Sequence, residues 1–253
     1  MKKLIFLVII LLASISDAGI TMSGAGTITY SGSGSTTITV GSGGGGTAVT
    51  LTNISHTSCN ANTYTGTCAF SPNVTAGSVL IAGCVMQATG DTMTFGDNNG
   101  NTWTPVGTSV WEGEGNGTRR ANIFYTLNAN AGATTTTCAD SGHTAGVIQQ
   151  SIHEYSKSGT ATFDVTSSSA PLGTSASITG RVMTTSFPNE FAFGFVTLLN
   201  GAATGQSGTL RENYVNNYYQ ATEDQVNAAA GAQTLTFTQA SPSAWIMIQA
   251  AFK

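Results

Sequence analysis

The run Ser78-Val79-Leu80-Ile81-Ala82-Gly83-Cys84-Val85-Met86-Gln87 decides the fold. It is apolar without helical spacing and lies between turn residues, which reads as a strand buried on both sides. Two more runs share its character, 190–198 and 244–252, and these three are expected to form the core. Shorter runs rich in Val, Ile, Thr and Phe surround them at 47–54, 92–95, 120–127, 133–138, 146–155, 161–165, 176–184 and 234–238. Gly, Asn, Asp or Pro separates one run from the next. Only 222–230, with its Ala and Asn, hints at a helix. More than ten strands with no linker argue for one domain, 47–253, and each sheet needs another against which to hide its apolar face. The expectation is all-β: a single antiparallel β-sandwich, jelly-roll or lectin-like, preceded by a Gly/Ser/Thr-rich extension.

Composition supports this and excludes much else. Of 253 residues only 20 are charged, or 8%, against roughly 25% in an ordinary soluble protein. Gly (31) and Thr (41) fill the gap. A coiled coil or helical bundle needs Glu, Lys, Arg and Leu that are absent here. A net charge of −4 without a basic stripe excludes nucleic acid as a partner class. At 40% hydrophobic residues, disorder by charge repulsion is excluded as well. Thr is β-branched, so it suits a strand, and its hydroxyl suits the solvent face.

The first 18 residues read as an export signal. Lys2 and Lys3 precede an unbroken apolar run at 4–13, and Ser16-Asp17-Ala18 fits the small-x-small cleavage pattern. Ten residues of helix span about 15 Å, half of a ~30 Å hydrocarbon core, so a signal peptide fits better than a membrane span. No second run of spanning length follows, so no membrane span is expected in the mature chain. Secreted or cell-surface localisation follows. Four cysteines, Cys59, Cys68, Cys84 and Cys138, fit that compartment as two disulfides. Three pairings exist. Cys59–Cys68 as a short surface staple and Cys84–Cys138 as a bridge between strands are favoured, and the absence of C-x-x-C or spaced His argues against zinc.

Residues 19–46 stand apart. Thr27-Ile28-Thr29-Tyr30 recurs as Thr37-Ile38-Thr39-Val40, and the segment ends in Gly43 to Gly46. It reads either as a flexible tether or as a donor strand for a neighbouring copy, the device of self-assembling fibres and virion surfaces.

The order of motifs along 47–253 is familiar. Ser71-Pro72-Asn73-Val74-Thr75-Ala76-Gly77-Ser78 leads into the apolar strand, and Gly96-Asp97-Asn98-Asn99-Gly100-Asn101-Thr102-Trp103 follows. Glu154-Tyr155-Ser156, Phe163-Asp164-Val165 and a closing Ala244-Trp245…Ala251-Phe252-Lys253 complete the series. The chain resembles a broad family of secreted bacterial and phage-associated jelly-roll or lectin-like sandwich modules. The resemblance implies an exported sandwich and no established activity. Lys157, where Gly often follows Glu-Tyr-Ser, and the Gly-rich repeat in front depart from the usual form.

Candidate sites are few. Asp97-x-Asn99-x-Asn101 opens like a calcium loop, but the sixth and twelfth positions are Thr102 and Thr108, so it is not an EF-hand. A lectin-type calcium site remains one reading and a hairpin turn built on Asn-Gly the other; no other cofactor is expected. Glu112 and Glu114 have the spacing of a glycosidase pair, but in a Gly-rich loop, lacking the longer acidic run of jelly-roll glucanases, they read as solvated acids. A glycan-active hydrolase is therefore the least favoured expectation. His153-Glu154 reads as a structural or edge pair, and Asp140 with His143 as a local hydrogen bond within one loop. No G-x-S-x-G elbow supports a hydrolase triad, so no catalytic residue is assigned and no enzyme is expected. Aromatics near Asn- and Gly-rich loops, Trp103, Trp111, Tyr218 and Tyr219, are the candidate ligand-binding residues, while Trp245 reads as core. The expected function is a non-catalytic surface module that binds a glycan or a surface protein, or serves structural display; self-association through 19–46 is the alternative.

Overall fold

The computed structural model describes residues 49–253, except 88–91, 113–118, 143–145, 171–173, 217 and 228, together with three short N-terminal strands. Two compact units result, Met1–Thr47 and Ala48–Lys253. The proposed signal peptide lies outside the described residues. In the first unit β1 (Gly19–Ser23), β2 (Thr27–Ser31) and β3 (Thr36–Thr39) form an antiparallel meander. Ile28 lies opposite Ile38 on one side and Met22 on the other. Gly19–Ser23 thus adds a third strand beside the two Thr-Ile-Thr strands that the sequence displayed.

The second unit is all β and antiparallel. Its first half holds β4 (Thr50–Ala61), β5 (Thr65–Ala69), β6 (Val79–Gln87), β7 (Met93–Asp97), β8 (Thr104–Pro105), β9 (Val110–Trp111), β10 (Arg119–Thr126), β11 (Thr135–Asp140) and β12 (Ile148–Ser158). The second half holds β13 (Phe163–Ser169), β14 (Ser175–Thr179), β15 (Met183–Thr185), β16 (Phe191–Leu198) and β17 (Ala203–Gln206). It continues with β18 (Thr209–Asn216), β19 (Tyr218–Val226), β20 (Gly231–Gln233), β21 (Thr236–Ser243) and β22 (Trp245–Phe252). Among the described residues no helix is long and apolar enough to cross a membrane. The helix hint at 222–230 is overturned, because most of that stretch belongs to β19 and pairs with both β16 and β18.

The chain runs twice through one strand order. The large sheet of the first half reads β4-β12-β6-β10, and that of the second reads β13-β22-β16-β19. The small sheets read β5-β11-β7 and β14-β21-β17. First strand beside last, with successive strands alternating between two sheets, is jelly-roll order, so the expected sandwich is present as two jelly-roll halves. In each half the strand before the fourth member, β8 and β9 or β18, hairpins onto it at the sheet edge.

Packing follows from this order. The inner faces of the two large sheets meet in one core, with Val79, Ile81, Ile123 and Tyr155 on one side and Phe191, Phe193, Phe195 and Ile248 on the other. The outer face of each large sheet lies under its own small sheet, through Leu80, Ile152 and Phe70 in the first half and Val196, Met247 and Phe237 in the second. The central strands of the large sheets are therefore buried on both faces, which explains why residues 78–87, 190–198 and 244–252 are apolar without alternation. Both expected disulfides are present. Cys59–Cys68 joins β4 to β5, and Cys84–Cys138 joins β6 to β11, with Cα atoms 5.5 and 6.6 Å apart. They tie the first large sheet to its small sheet and fit an oxidising compartment. The second half has no cysteines and uses a buried amide instead. Gln249 on β22 accepts from Leu235 N (2.8 Å) and donates to Ser167 Oγ (2.7 Å) and to the Arg181 carbonyl.

The closest approach of the halves sets a test. A Cβ on Gly83 would lie 2.4 Å from the Phe195 ring, so Gly83→Ala overpacks the interface and should cost about 1–3 kcal/mol in denaturant unfolding. Gly96 has nothing within 4 Å of such a Cβ, and Gly96→Ala should change stability far less. Combining Gly83→Ala with Phe195→Leu should recover part of the loss; strictly additive effects would contradict the contact.

Candidate functional site

One flank of the second unit is formed by β8 and β9 at the edge of the first large sheet and β13 at the edge of the second. Along it Tyr125, paired with Thr104, stacks on Phe163 at 5.4 Å between ring centroids. Further along, Gly107 faces Thr166. Beyond that, Trp111 shares a groove of about 370 Å³ with Thr108, Ser109, Ser168, Ser169 and Arg181. At the opposite end a second groove of about 440 Å³ is lined by Tyr125, Asn101, Thr102, Thr104, Asn128 and Asn130. Burial raises the Tyr125 phenol above its ordinary pKa, so it stays protonated at neutral pH. Trp111 is half-buried, with the Arg120 guanidinium carbon 5.0 Å from its ring centroid. Both grooves present hydroxyls and an aromatic ring; Asn amides line the larger one and Arg181 the smaller, and among the described residues no carboxylate lines either.

The candidate aromatics are not gathered into one site. Trp111 lines the flank groove. Trp103 packs edge-on against Phe95 at 4.8 Å, and its indole N–H donates to Asp97 Oδ2 at 2.7 Å. Tyr218 and Tyr219 do alternate faces on β19, yet neither is a surface platform. Tyr218 is 9% exposed and lies beneath Arg119, while Tyr219 packs toward the second small sheet. Trp245 is core, as expected.

Asp97, Asn99 and Asn101 close a turn. Asp97 Oδ1 accepts from the Asn99 and Asn101 backbone N–H groups (2.9 and 3.2 Å), and Oδ2 accepts from Asn101 Nδ2 and Trp103 Nε1 (both 2.7 Å). Four donors aimed at one carboxylate make a turn lock. Asn99 Nδ2 donates across to the Asn130 and Ala131 carbonyls, which fixes one wall of the larger groove.

Two expectations need correction. Glu112 is no solvated loop acid: it receives two bonds, at 3.0 and 2.8 Å, from the fully buried Arg119. Arg119 also donates to the Ala244 carbonyl in the second half at 3.1 Å, so the pair clasps the halves together. Glu114 and His143 lie outside the described residues. His153 and Glu154 are not an edge pair, because β12 lies between β4 and β6 and the two side chains point to opposite faces, both fully buried. Glu154 accepts from Thr75 N and Ser78 Oγ (both 2.8 Å), and Asp140 from Gly142 N.

His153 points instead into a polar seam between β4 and β12 on one side and β18 and β19 on the other. Its ring stacks 5.9 Å from His56 and meets Phe193 edge-on at 5.0 Å. Tyr155 donates to Asp224 at 2.9 Å, and Arg211 forms a two-pronged pair with the same carboxylate at 2.6 and 3.0 Å. Nearer solvent, Ser58 donates to Glu212 at 3.0 Å. Among the described residues, both His153 nitrogens, Gln149 Oε1, Gln220 Oε1 and Thr222 Oγ1 are buried without a hydrogen-bond partner. Burial, with His56 and Arg211 nearby, holds the His153 pKa well below its ordinary value.

The sign of the consequence is definite. Below about pH 6.5 the unfolded chain gains a proton that the native chain refuses, so stability should fall with acid by up to about 1.4 kcal/mol per pH unit from this group. His153→Leu should lose that part of the slope between pH 6.5 and 5 in denaturant titrations. Parallel pH profiles for the two proteins would contradict this account.

No protein-family model matches the chain, and neither a curated protein nor a solved structure matches it, so a functional reading rests on the chemistry of the flank and the seam.

Proposed function

We propose that the protein is an exported, non-catalytic binding module for neutral carbohydrate, with the Trp111 groove as its site. One observation carries this reading: a tryptophan on β9 lines an open groove among hydroxyl groups from the β8–β9 turn and from β13, with no carboxylate among its described lining residues. Sugar rings place apolar C–H faces against aromatic rings, while their hydroxyls need donors and acceptors of the kind that Thr108, Ser109, Ser168 and Ser169 supply. Trp111, Ser168 and Ser169 sit on strands, which hold a site more rigidly than a loop does. The neutral, Thr-rich surface is compatible with a ligand that carries no charge, and binding should be nearly independent of salt. Glu112 is committed to Arg119, which argues against its use as a glycosidase acid.

Screening the mature protein on a glycan array should yield neutral hits. Trp111→Ala should weaken them by about ten-fold or more while changing the melting temperature little. An array without hits, or unchanged binding by Trp111→Ala, would contradict the proposal.

A second reading, self-assembly through residues 19–46, is favoured by the three-stranded meander, whose outer strands β1 and β3 each pair on one side only among the described residues. Deleting 19–46 should then convert filaments into monomers in light scattering. Filaments that persist, or an intact protein that is already monomeric, would count against it.

A further inference from the structure

The flank is longer than one sugar needs. Resting on the carbohydrate reading above, we infer that its ligand is an extended neutral polysaccharide chain lying along β8, β9 and β13, with the two grooves as the ends of one track.

The geometry carries this in three steps. First, the two edges run side by side in the same direction: Thr104 beside Tyr125 and Phe163, Gly107 beside Thr166, and Trp111 beside Ser168 and Ser169. Second, the grooves lie on this one line. Trp111 pairs with Arg120 and Thr104 with Tyr125, so they are separated by five residues of β10, about 17 Å. One sugar ring cannot reach both. Third, the ground between them is low. Gly107 occupies the saddle with no side chain, while Val106 beside it turns into the core.

The chemistry of the track favours a polyol over a peptide. A peptide would add as a strand, using a continuous row of backbone donors and acceptors. Here β8 and β9 are two residues each, Pro105 supplies no N–H, and β13 is interrupted by a bulge between Phe163 and Val165. What the track offers instead is side chains, with an aromatic ring at each end and Thr, Ser and Asn groups around them. The far wall is held in advance. Asn130 N donates to Asn101 Oδ1 at 2.7 Å, and Asn130 Nδ2 donates to the Asn99 carbonyl at 3.0 Å. Such a wall loses little side-chain freedom when it binds.

The test is a length series. Cello-, laminari-, manno- and chito-oligosaccharides, from dimers to octamers, are titrated into the mature protein by calorimetry. At least one series should gain about ten-fold or more in affinity between dimer and hexamer and then level off. Gly107→Tyr, which raises the saddle, should remove that gain. Affinity that is independent of length but lost in Trp111→Ala would overturn the extended track and leave the carbohydrate reading standing. A length gain that survives Gly107→Tyr would also overturn the track as drawn. No binding at any length, or Trp111-dependent binding of peptides alone, would overturn both.

Discussion

The constraint on which the rest of the structure depends is that the central strands of the two large sheets have no face left for water. Each jelly-roll half covers the outer face of its large sheet with its own small sheet, and the inner face is covered only by the other half. Phe191, Phe193 and Phe195 on β16 enter the first half at the point where Gly83 lets β6 come close. A half on its own would expose that apolar face, and this explains why the two jelly rolls form one compact unit.

The interface is not uniform. Its centre is aromatic and aliphatic, while the side between β4–β12 and β18–β19 is polar, with both His153 nitrogens, Gln149 Oε1, Gln220 Oε1 and Thr222 Oγ1 buried and unpartnered. Such groups cost free energy, so this side holds the halves together less firmly than the centre does. Two arginines, by contrast, are paired. Arg119 is matched by Glu112, the Ala244 carbonyl and the Tyr218 ring, and Arg211 by Asp224. The flank with the two grooves lies on the opposite edges of the same sheets, so ligand contacts there can vary without disturbing the seam.

Some of this was legible in the sequence, and the difference has a physical cause. The runs at 78–87, 190–198 and 244–252 announced themselves because strands buried on both faces keep no polar alternation. The disulfides were legible because Cys84 and Cys138 sat in recognisable strands. Strands β18 and β19 were missed because their inward faces carry Gln220, Thr222 and Asp224 against the polar seam, and Ala and Asn imitated a helix. The duplication was hidden because the two halves brace their sheets with different chemistry: disulfides tie the large sheet to the small one in the first half, while the second half has no cysteines. Trp111 could be singled out as an aromatic near glycines, but Ser168, Ser169 and Arg181, which make it a groove, come from the other half of the chain. Tyr218 looked like a surface ring because its cover, Arg119, is equally remote in sequence.

The protein has three tryptophans, and their indole N–H groups sit in three different environments. Trp103 is bonded to Asp97, Trp245 is buried without a partner, and Trp111 lines the flank. A nitrogen–proton NMR spectrum recorded while a neutral oligosaccharide is added therefore addresses the carbohydrate reading directly. The Trp111 indole signal should move and saturate, with backbone shifts along β8, β9 and β13, while the Trp103 and Trp245 signals hold still. Shifts centred on His56 and Glu212 at the seam, or three unmoved indole signals, would contradict it.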